Sequence, residues 1–163
     1  MKKQKNSIPP YYPSNWIYTD GSAYHKTKKG GWGVYAVFRD GKEEFYKGNE
    51  DNTTVSRMEM SALLKALKIS SNIKSGDRLS IVSDSIFVVN SINKGWLFNW
   101  HRDQYFGRTN ADLWKEIYHH YKLLKDRGVV IRIHHINGHQ KDMHHPHIFG
   151  NSVADILADY KQK

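Results

Sequence analysis

Apolar and polar residues alternate with a period of two in WIYTDGS (16–22), placing Trp16, Tyr18 and Asp20 on one face of a predicted strand. GGWGVYAVF (30–38) and KEEFYKG (42–48) read as two more strands, joined at Asp40-Gly41, a dipeptide that favours a tight hairpin. The period changes in VSRMEMSALLKALKIS (55–70). There Arg57, Ser61, Lys65 and Lys68 form one polar stripe at spacings of four, four and three, which predicts an amphipathic helix. RLSIVSDS (78–85) predicts a strand ending in Asp84, and IFVVNSI (86–92) a short helix after it. ADLWKEIYHHYKLLKDRG (111–128) is a longer amphipathic helix closed by Gly128. VVIRIHH (129–135) and NSVADILADYKQ (151–162) predict the last strand and the last helix, while residues 96–109 are aromatic and basic. The predicted order is β-β-β-α-β-α-α-β-α. Three antiparallel strands followed by α/β crossovers make an α/β fold: a five-stranded mixed sheet with helices on both faces.

Composition narrows the class. A chain of 163 residues is most simply one domain, taken here as 15–163. Residues 1–14, MKKQKNSIPPYYPS, combine a basic start with three prolines and no periodicity, so a loose tail is expected. The chain has no cysteine, which excludes a disulfide scaffold and thiolate zinc sites. No apolar run approaches the roughly 18 residues of a membrane span, and the N-terminus lacks the apolar core of a signal peptide. A soluble cytoplasmic protein with no membrane partner is the expectation. The short tail favours a stand-alone enzyme, and the lack of sustained heptads favours a monomer.

Charge points to a partner class. The 25 basic and 16 acidic side chains leave a net +9, an excess that suits a polyanion such as nucleic acid, because neutralised phosphates release counterions. A solubility surface is the bland alternative.

Three acids occupy awkward positions. Asp20 ends a strand of aromatic and β-branched residues and precedes Gly21-Ser22, where the backbone can turn tightly. Glu59 lies about 200° from both Arg57 and Ser61 on a helical wheel, among Ala62, Leu63 and Ala66. Asp84 follows apolar Ile81 and Val82 at a strand end, where open α/β sheets bind ligands. Each acid alone has an ordinary reading, as a helix cap or the partner of a buried base. Together they favour metal, because converging carboxylates repel unless cations neutralise them. Oxygen ligands without thiolate suit magnesium or manganese.

A second cluster competes. NGHQKDMHHPHIFGNSVAD (137–155) holds four histidines and two aspartates. Structural zinc is one reading, but His144, His145 and His147 sit beside a proline and a glycine with no predicted element to fix tetrahedral geometry. The other reading is a mobile wall beside a site built elsewhere.

In order along the chain, YTDGS, GGWG, TTVSRMEMSALLKAL, SIVSDS, the W-x-x-N-W of 96–100, NADLW and GH…GNSVAD-x-LA resemble a type 1 ribonuclease H, from about 16 to 160. The resemblance implies a ribonuclease H-like fold and an endonuclease that cuts the RNA strand of RNA–DNA hybrids, leaving 3′-hydroxyl and 5′-phosphate ends. It implies two Mg2+ ions, with Mn2+ as a substitute, and no zinc or organic cofactor. Asp20 would bridge both ions, Glu59 and Asp84 would complete one shell, and Asp155 would join Asp20 on the other. His139 matches the family's mobile histidine, associated with proton transfer or product release. Thr54 and Asn99 match residues that grip a DNA phosphate, and Trp96 and Trp100 match aromatics of the DNA groove, with packing as their alternative. Gly21, Ser22 and Arg57 complete the expected substrate contacts.

The chain departs from the family pattern at several points. Val55-Ser56 stand where well-known bacterial members carry two asparagines, and Ile86 stands where glutamine is usual. The basic handle, HRDQYFGRT, is short and holds two arginines and no lysine, an expected loss of binding that Lys26, Lys28 and Lys29 would offset. Between His139 and Asp155 lie 15 residues (140–154), more than in familiar bacterial members, so His144, His145 and His147 are expected in an enlarged flap. A catalytically silent hybrid-binding module, or a DNA-cutting nuclease or integrase of the same fold, is the competing reading.

Overall fold

The computed structural model describes residues 8–160. Strands β1 (Asn15–Ala23), β2 (Gly30–Val37) and β3 (Glu43–Glu50) are followed by α1 (Val55–Ile69), β4 (Arg78–Ser83), α2 (Ile86–Asn93) and α3 (Trp96–Arg102). Then come α4 (Ala111–Asp126), β5 (Val130–His135) and α5 (Pro146–Ala158). The strands form one sheet in the order β3-β2-β1-β4-β5. β1 pairs antiparallel with β2, and β2 with β3, whereas β1–β4 and β4–β5 are parallel. The expected mixed sheet is present.

Alternation along β1 sends its side chains to two cores. Ile17 joins Val34, Leu79 and Ile81 of the sheet under Met60, Leu63 and Leu67 of α1 and Trp114 and Ile117 of α4. Trp16 and Tyr18 join Tyr35 and Val82 on the other face, under Ile148 and Ala154 of α5. The parallel strand β4 is buried on both faces from Leu79 to Ser83, as parallel strands usually are.

Three expectations need correction. The element order lacks α3, a seven-residue helix set off from α2 by Gly95 in a left-handed conformation (φ +73°). Two turns are too few for a period to show.

The loose tail is corrected for residues 8–14; residues 1–7 lie outside the described residues. The Tyr12 hydroxyl bonds Ser80 Oγ and His134 Nε2, each at 2.8 Å, and its carbonyl accepts from Trp16 Nε1 at 2.9 Å. Tyr11 stacks on Trp16 with ring centroids 5.7 Å apart. Such single long-range contacts leave no periodic trace.

The last helix starts at Pro146, not 151, and ends at Ala158. Proline is compatible with a first helical turn, and His145 Nδ1 caps that turn by accepting from His147 N–H at 3.1 Å. Gly150 lies inside α5 because a Cβ there would come within 2.5 Å of the Tyr18 ring.

His147 is therefore part of α5 and fully buried, not part of a flap. Its Nε2 lies 3.0 Å from Pro10 O, which can only accept, so Nε2 carries the proton and Nδ1 accepts from the Tyr18 hydroxyl at 2.9 Å. With both ring nitrogens engaged, His147 has no lone pair for zinc. Burial pushes its pKa down, so the folded state holds it neutral. The unfolded state then binds more protons as pH falls below about 6.5, and this contribution to stability, complete above that value, is lost as pH falls through the folded pKa. His147→Gln keeps a donor and an acceptor but does not titrate. Melting temperatures from pH 7.5 to 5, measured in magnesium, are expected to fall less steeply for this variant than for the wild type.

Candidate active site

Three carboxylates meet where β1 and β4 end side by side. The parallel register pairs Thr19 with Ser83, so Asp20 and Asp84 are the next positions on neighbouring strands. Glu59 reaches them from α1. The approach depends on Gly21, where a Cβ would lie 2.4 Å from Glu59 N and 2.5 Å from Met58 C. Only glycine lets the α1 backbone come this close to β1. No turn forms at Gly21-Ser22: β1 continues to Ala23, and Ser22 Oγ donates to Ala158 O at 2.7 Å, tying the strand to the end of α5.

One oxygen from each of Asp20, Glu59 and Asp84 lies within 4.8 Å of the others. Asp20 is 4% exposed and Glu59 6%. Burial and then the charges of Glu59 and Asp84 push the Asp20 carboxyl up. Burial and then the Asp84 charge do the same to Glu59, and burial raises Asp84. Asp20 Oδ1 accepts from Gly21 N–H at 2.9 Å, but Glu59 Oε2 is buried with no hydrogen-bond partner. The ordinary reading of Asp84 as a helix cap fails as well, since Ser85 Oγ caps α2 by accepting from Val88 N–H.

An orphaned buried oxygen among three mutually repelling carboxylates is the donor set of a hard divalent cation. Asp20, Glu59 and Asp84 would hold it. Among the described residues they are also the one group of three or more such side chains close enough to share an ion; the histidines of 139–147 form none.

Asp155 lies on α5 close enough to hydrogen-bond the Asp20 carboxyl. It shares with Asp84 and His139 a cavity of about 270 Å³, also lined by Asn137, Gln140, Asn151 and Ser152. His139 occupies the left-handed region (φ +59°), a conformation that a non-glycine residue holds at a cost and that often marks a working site. Asn151 has no part in the sequence reading. It is 6% exposed with Oδ1 unpartnered, one turn before Asp155, and that spacing of four within GNSVAD was the available signal.

Of the expected substrate contacts, Gly21 and Ser22 adjoin Asp20 on β1, whereas Thr54, Arg57, Trp96, Asn99 and Trp100 do not line the acidic cavity. Thr54 caps α1, its Oγ1 accepting from Arg57 N–H at 3.1 Å. Asn99 Oδ1 accepts from Arg102 Nη2 at 2.8 Å. Arg57 is engaged within the protein: its guanidinium bonds Glu50 at 2.7 Å and Asp112 at 3.0 and 2.7 Å, joining β3, α1 and α4. These partners are seven and 55 positions away, out of reach of a helical wheel. Trp96 and Trp100 pack on Phe87 with centroids 6.1 and 6.3 Å apart, and the Arg108 guanidinium sits 4.3 Å above Trp100.

A family model described as RNase H matches residues 13–163. The chain belongs to the ribonuclease H family. It is a nuclease, and the acidic cluster fits the metal dependence of ribonuclease H enzymes. A ribonuclease H of Thermosynechococcus vestitus is 32% identical over 147 residues, covering 87% of this chain and 84% of the relative. A ribonuclease H of Chlorobium phaeobacteroides is 35% identical over 147 residues, covering 87% and 90%. Among solved structures, the ribonuclease H domain of PFV is 26% identical with a TM-score of 0.70, covering 89% of this chain and 92% of that one. The prototype foamy virus protease-reverse transcriptase is 25% identical with a TM-score of 0.74; the match covers 95% of this chain and 22% of that longer one. No helix among the described residues is long and apolar enough to cross a membrane.

Proposed function

We propose that this ribonuclease H hydrolyses the RNA strand of RNA–DNA hybrids with two Mg2+ ions, Mn2+ serving as a substitute, and leaves 3′-hydroxyl and 5′-phosphate ends. The observation that carries the reading is the convergence of Asp20, Glu59 and Asp84 around an unpartnered Glu59 oxygen. A foamy viral protease-reverse transcriptase of similar fold has been solved with an RNA/DNA hybrid, which is in keeping with that substrate class.

Asp20 faces both Glu59 and Asp155, so Asp20, Glu59 and Asp84 would hold one ion and Asp20 with Asp155 the other. When bound, the two ions supply an activated water and neutralise charge on the leaving oxygen. The buried walls around Asp20 and Glu59 exclude bulk water, so the carboxylates stay oriented without rearrangement. His139, beside Asp84 and Asp155, moves a proton at its imidazole. Thr54 accepts a backbone hydrogen bond and keeps its hydroxyl proton for a phosphate oxygen, and the Asn99 amide keeps its NH2 as a donor. Trp96 and Trp100 line the DNA groove, and the enzyme works as a monomer.

His139→Ala is expected to lower kcat on the order of a hundredfold with little change in KM, read from steady-state kinetics on a hybrid. The reading as a whole is tested on matched RNA–DNA hybrid, double-stranded DNA and double-stranded RNA, in magnesium and then manganese, with product ends mapped. Cleavage confined to the hybrid's RNA strand is expected; preferential cutting of either homoduplex sinks it.

A further inference from the structure

One buried histidine has no part in the proposed cleavage chemistry. His147 is fully buried on the first turn of α5, where an apolar ring would fill the space without desolvating two polar nitrogens. Its ring packs edge-on to Trp16 with centroids 4.3 Å apart, and its centroid is 5.3 Å from that of Tyr11. Its hydrogen bonds run to two other segments. Nε2 donates to Pro10 O at 3.0 Å, and Nδ1 accepts from the Tyr18 hydroxyl at 2.9 Å. Tyr18 stands two positions before Asp20, on the same face of β1. Pro10 belongs to a segment that is itself fixed, with Trp16 Nε1 donating to Tyr12 O and the Tyr12 hydroxyl bonded to Ser80 and His134.

Small residues let α5 lie close on the sheet. A Cβ at Gly150 would meet the Tyr18 ring at 2.5 Å, one at Gly33 would meet Ala154 O at 2.4 Å, and one at Gly31 would meet Ala158 O at 2.6 Å. Gly33 is the register partner of Asp20. Such packing sets how near the helix lies, but it is non-directional and resists sliding along the axis less than hydrogen bonds do. Hydrogen bonds hold both ends of α5. Ser22 Oγ donates to Ala158 O at 2.7 Å at the far end, and His147 bonds Tyr18 at the first turn. His147, Asn151 and Asp155 follow at spacings of four, one row on the helix, so a turn or slide at His147 carries the other two with it. A slip of a single residue is about 1.5 Å.

We propose that His147, locked between Pro10 and Tyr18, is a positioning residue that fixes where α5 lies along β1 and hence where the Asp155 carboxylate stands relative to Asp20. The proposal rests on the reading that Asp20 and Asp155 hold one metal ion together. His147 never meets the substrate. It acts through Asp155, and its effect falls on metal dependence and turnover rather than on hybrid binding.

The test measures hybrid cleavage against magnesium concentration, and amide hydrogen exchange of residues 146–158 in the metal-free protein, for wild type, His147→Leu and His147→Gln. Leucine removes both hydrogen bonds, whereas glutamine keeps a donor and an acceptor. A misplacement of about 1 Å at a reacting centre costs on the order of a hundredfold, so a partial shift of Asp155 in His147→Leu is expected to lower kcat roughly tenfold. The magnesium concentration for half-maximal rate is expected to rise, with KM for the hybrid unchanged. Exchange in α5 is expected to quicken while that of β4 stays as in wild type. His147→Gln is expected to restore all of these towards wild type. Should His147→Leu fail to fold, Tyr18→Phe carries the same test. It keeps the ring against Gly150, removes only the hydroxyl, and is expected to shift the magnesium dependence in the same direction.

Wild-type kcat and magnesium dependence in the folded variant, even with a lower melting temperature, overturn the proposal and leave His147 a packing role. Loss in His147→Gln as severe as in His147→Leu overturns it too, because the hydrogen bonds would then not be what positions α5. Asp155→Asn separates this proposal from the reading beneath it. Unchanged magnesium dependence in Asp155→Asn defeats the shared metal position itself, whereas a loss there beside a wild-type His147→Leu defeats the positioning role alone.

Discussion

Asp20→Asn is expected to reduce hybrid cleavage in magnesium by at least about a thousandfold and, in the absence of metal, to raise the melting temperature. Both effects come from one geometry. Asp20 touches every other acid of the site, so its loss weakens both proposed metal positions at once. Without metal the same carboxylate is a liability, buried at 4% exposure beside two like charges. Its folded pKa is raised well above the unfolded value of about 3.9. Between those values the native state binds more protons, so the metal-free protein loses stability as pH rises through that window. Asparagine does not titrate, so the gap between variant and wild type should widen as pH rises from about 4. Each kcal/mol is worth about 2–4 °C in a chain of this length, so a shift of several degrees should be visible by calorimetry. Magnesium should stabilise the wild type and narrow the gap. Unchanged cleavage by this variant would falsify the assignment of the metal centre.

Gly21→Ala is expected to damage folding and chemistry together. The added Cβ meets the backbone of Met58 and Glu59 at 2.5 and 2.4 Å, and backbone cannot rotate aside as a side-chain end can. α1 must move away, at an overpacking cost of about 1–3 kcal/mol. That movement carries Glu59 out of register with Asp20 and Asp84, and a misplacement of about 1 Å at a reacting centre costs on the order of a hundredfold. Calorimetry should show the lower melting temperature, and kinetics should show kcat falling more than KM rises. Wild-type values for both would mean that the β1–α1 contact has slack.

The central sheet was legible because alternation in β1 and β2 separates two buried faces. Glu59 was legible for a related reason: on its helix it shares the face of Ala62, Leu63 and Ala66, all buried here. The distance between α1 and β1 was not legible. Gly21 read as a point for turning, whereas it is a point of contact. Similarly, HPHIFG read as a flap because proline and glycine usually interrupt helices. In α5, Pro146 sits where a proline costs nothing, and Gly150 answers to the Tyr18 ring, 132 positions earlier. Arg57 read as a surface residue on a polar stripe, and its stripe was right. Its ion partners, Glu50 and Asp112, come from elements whose packing no local pattern encodes.

The histidines that looked most like metal ligands now divide by role. His145 caps α5, His147 is hydrogen-bonded in the aromatic core, and His139 lines the acidic cavity. The measurement that decides between acids and histidines is anomalous scattering from manganese, in crystals of the enzyme with a hybrid protected at its scissile phosphate. The account requires two manganese peaks, one among Asp20, Glu59 and Asp84 and one between Asp20 and Asp155. Peaks at His144 and His145 with none at the acids would contradict it.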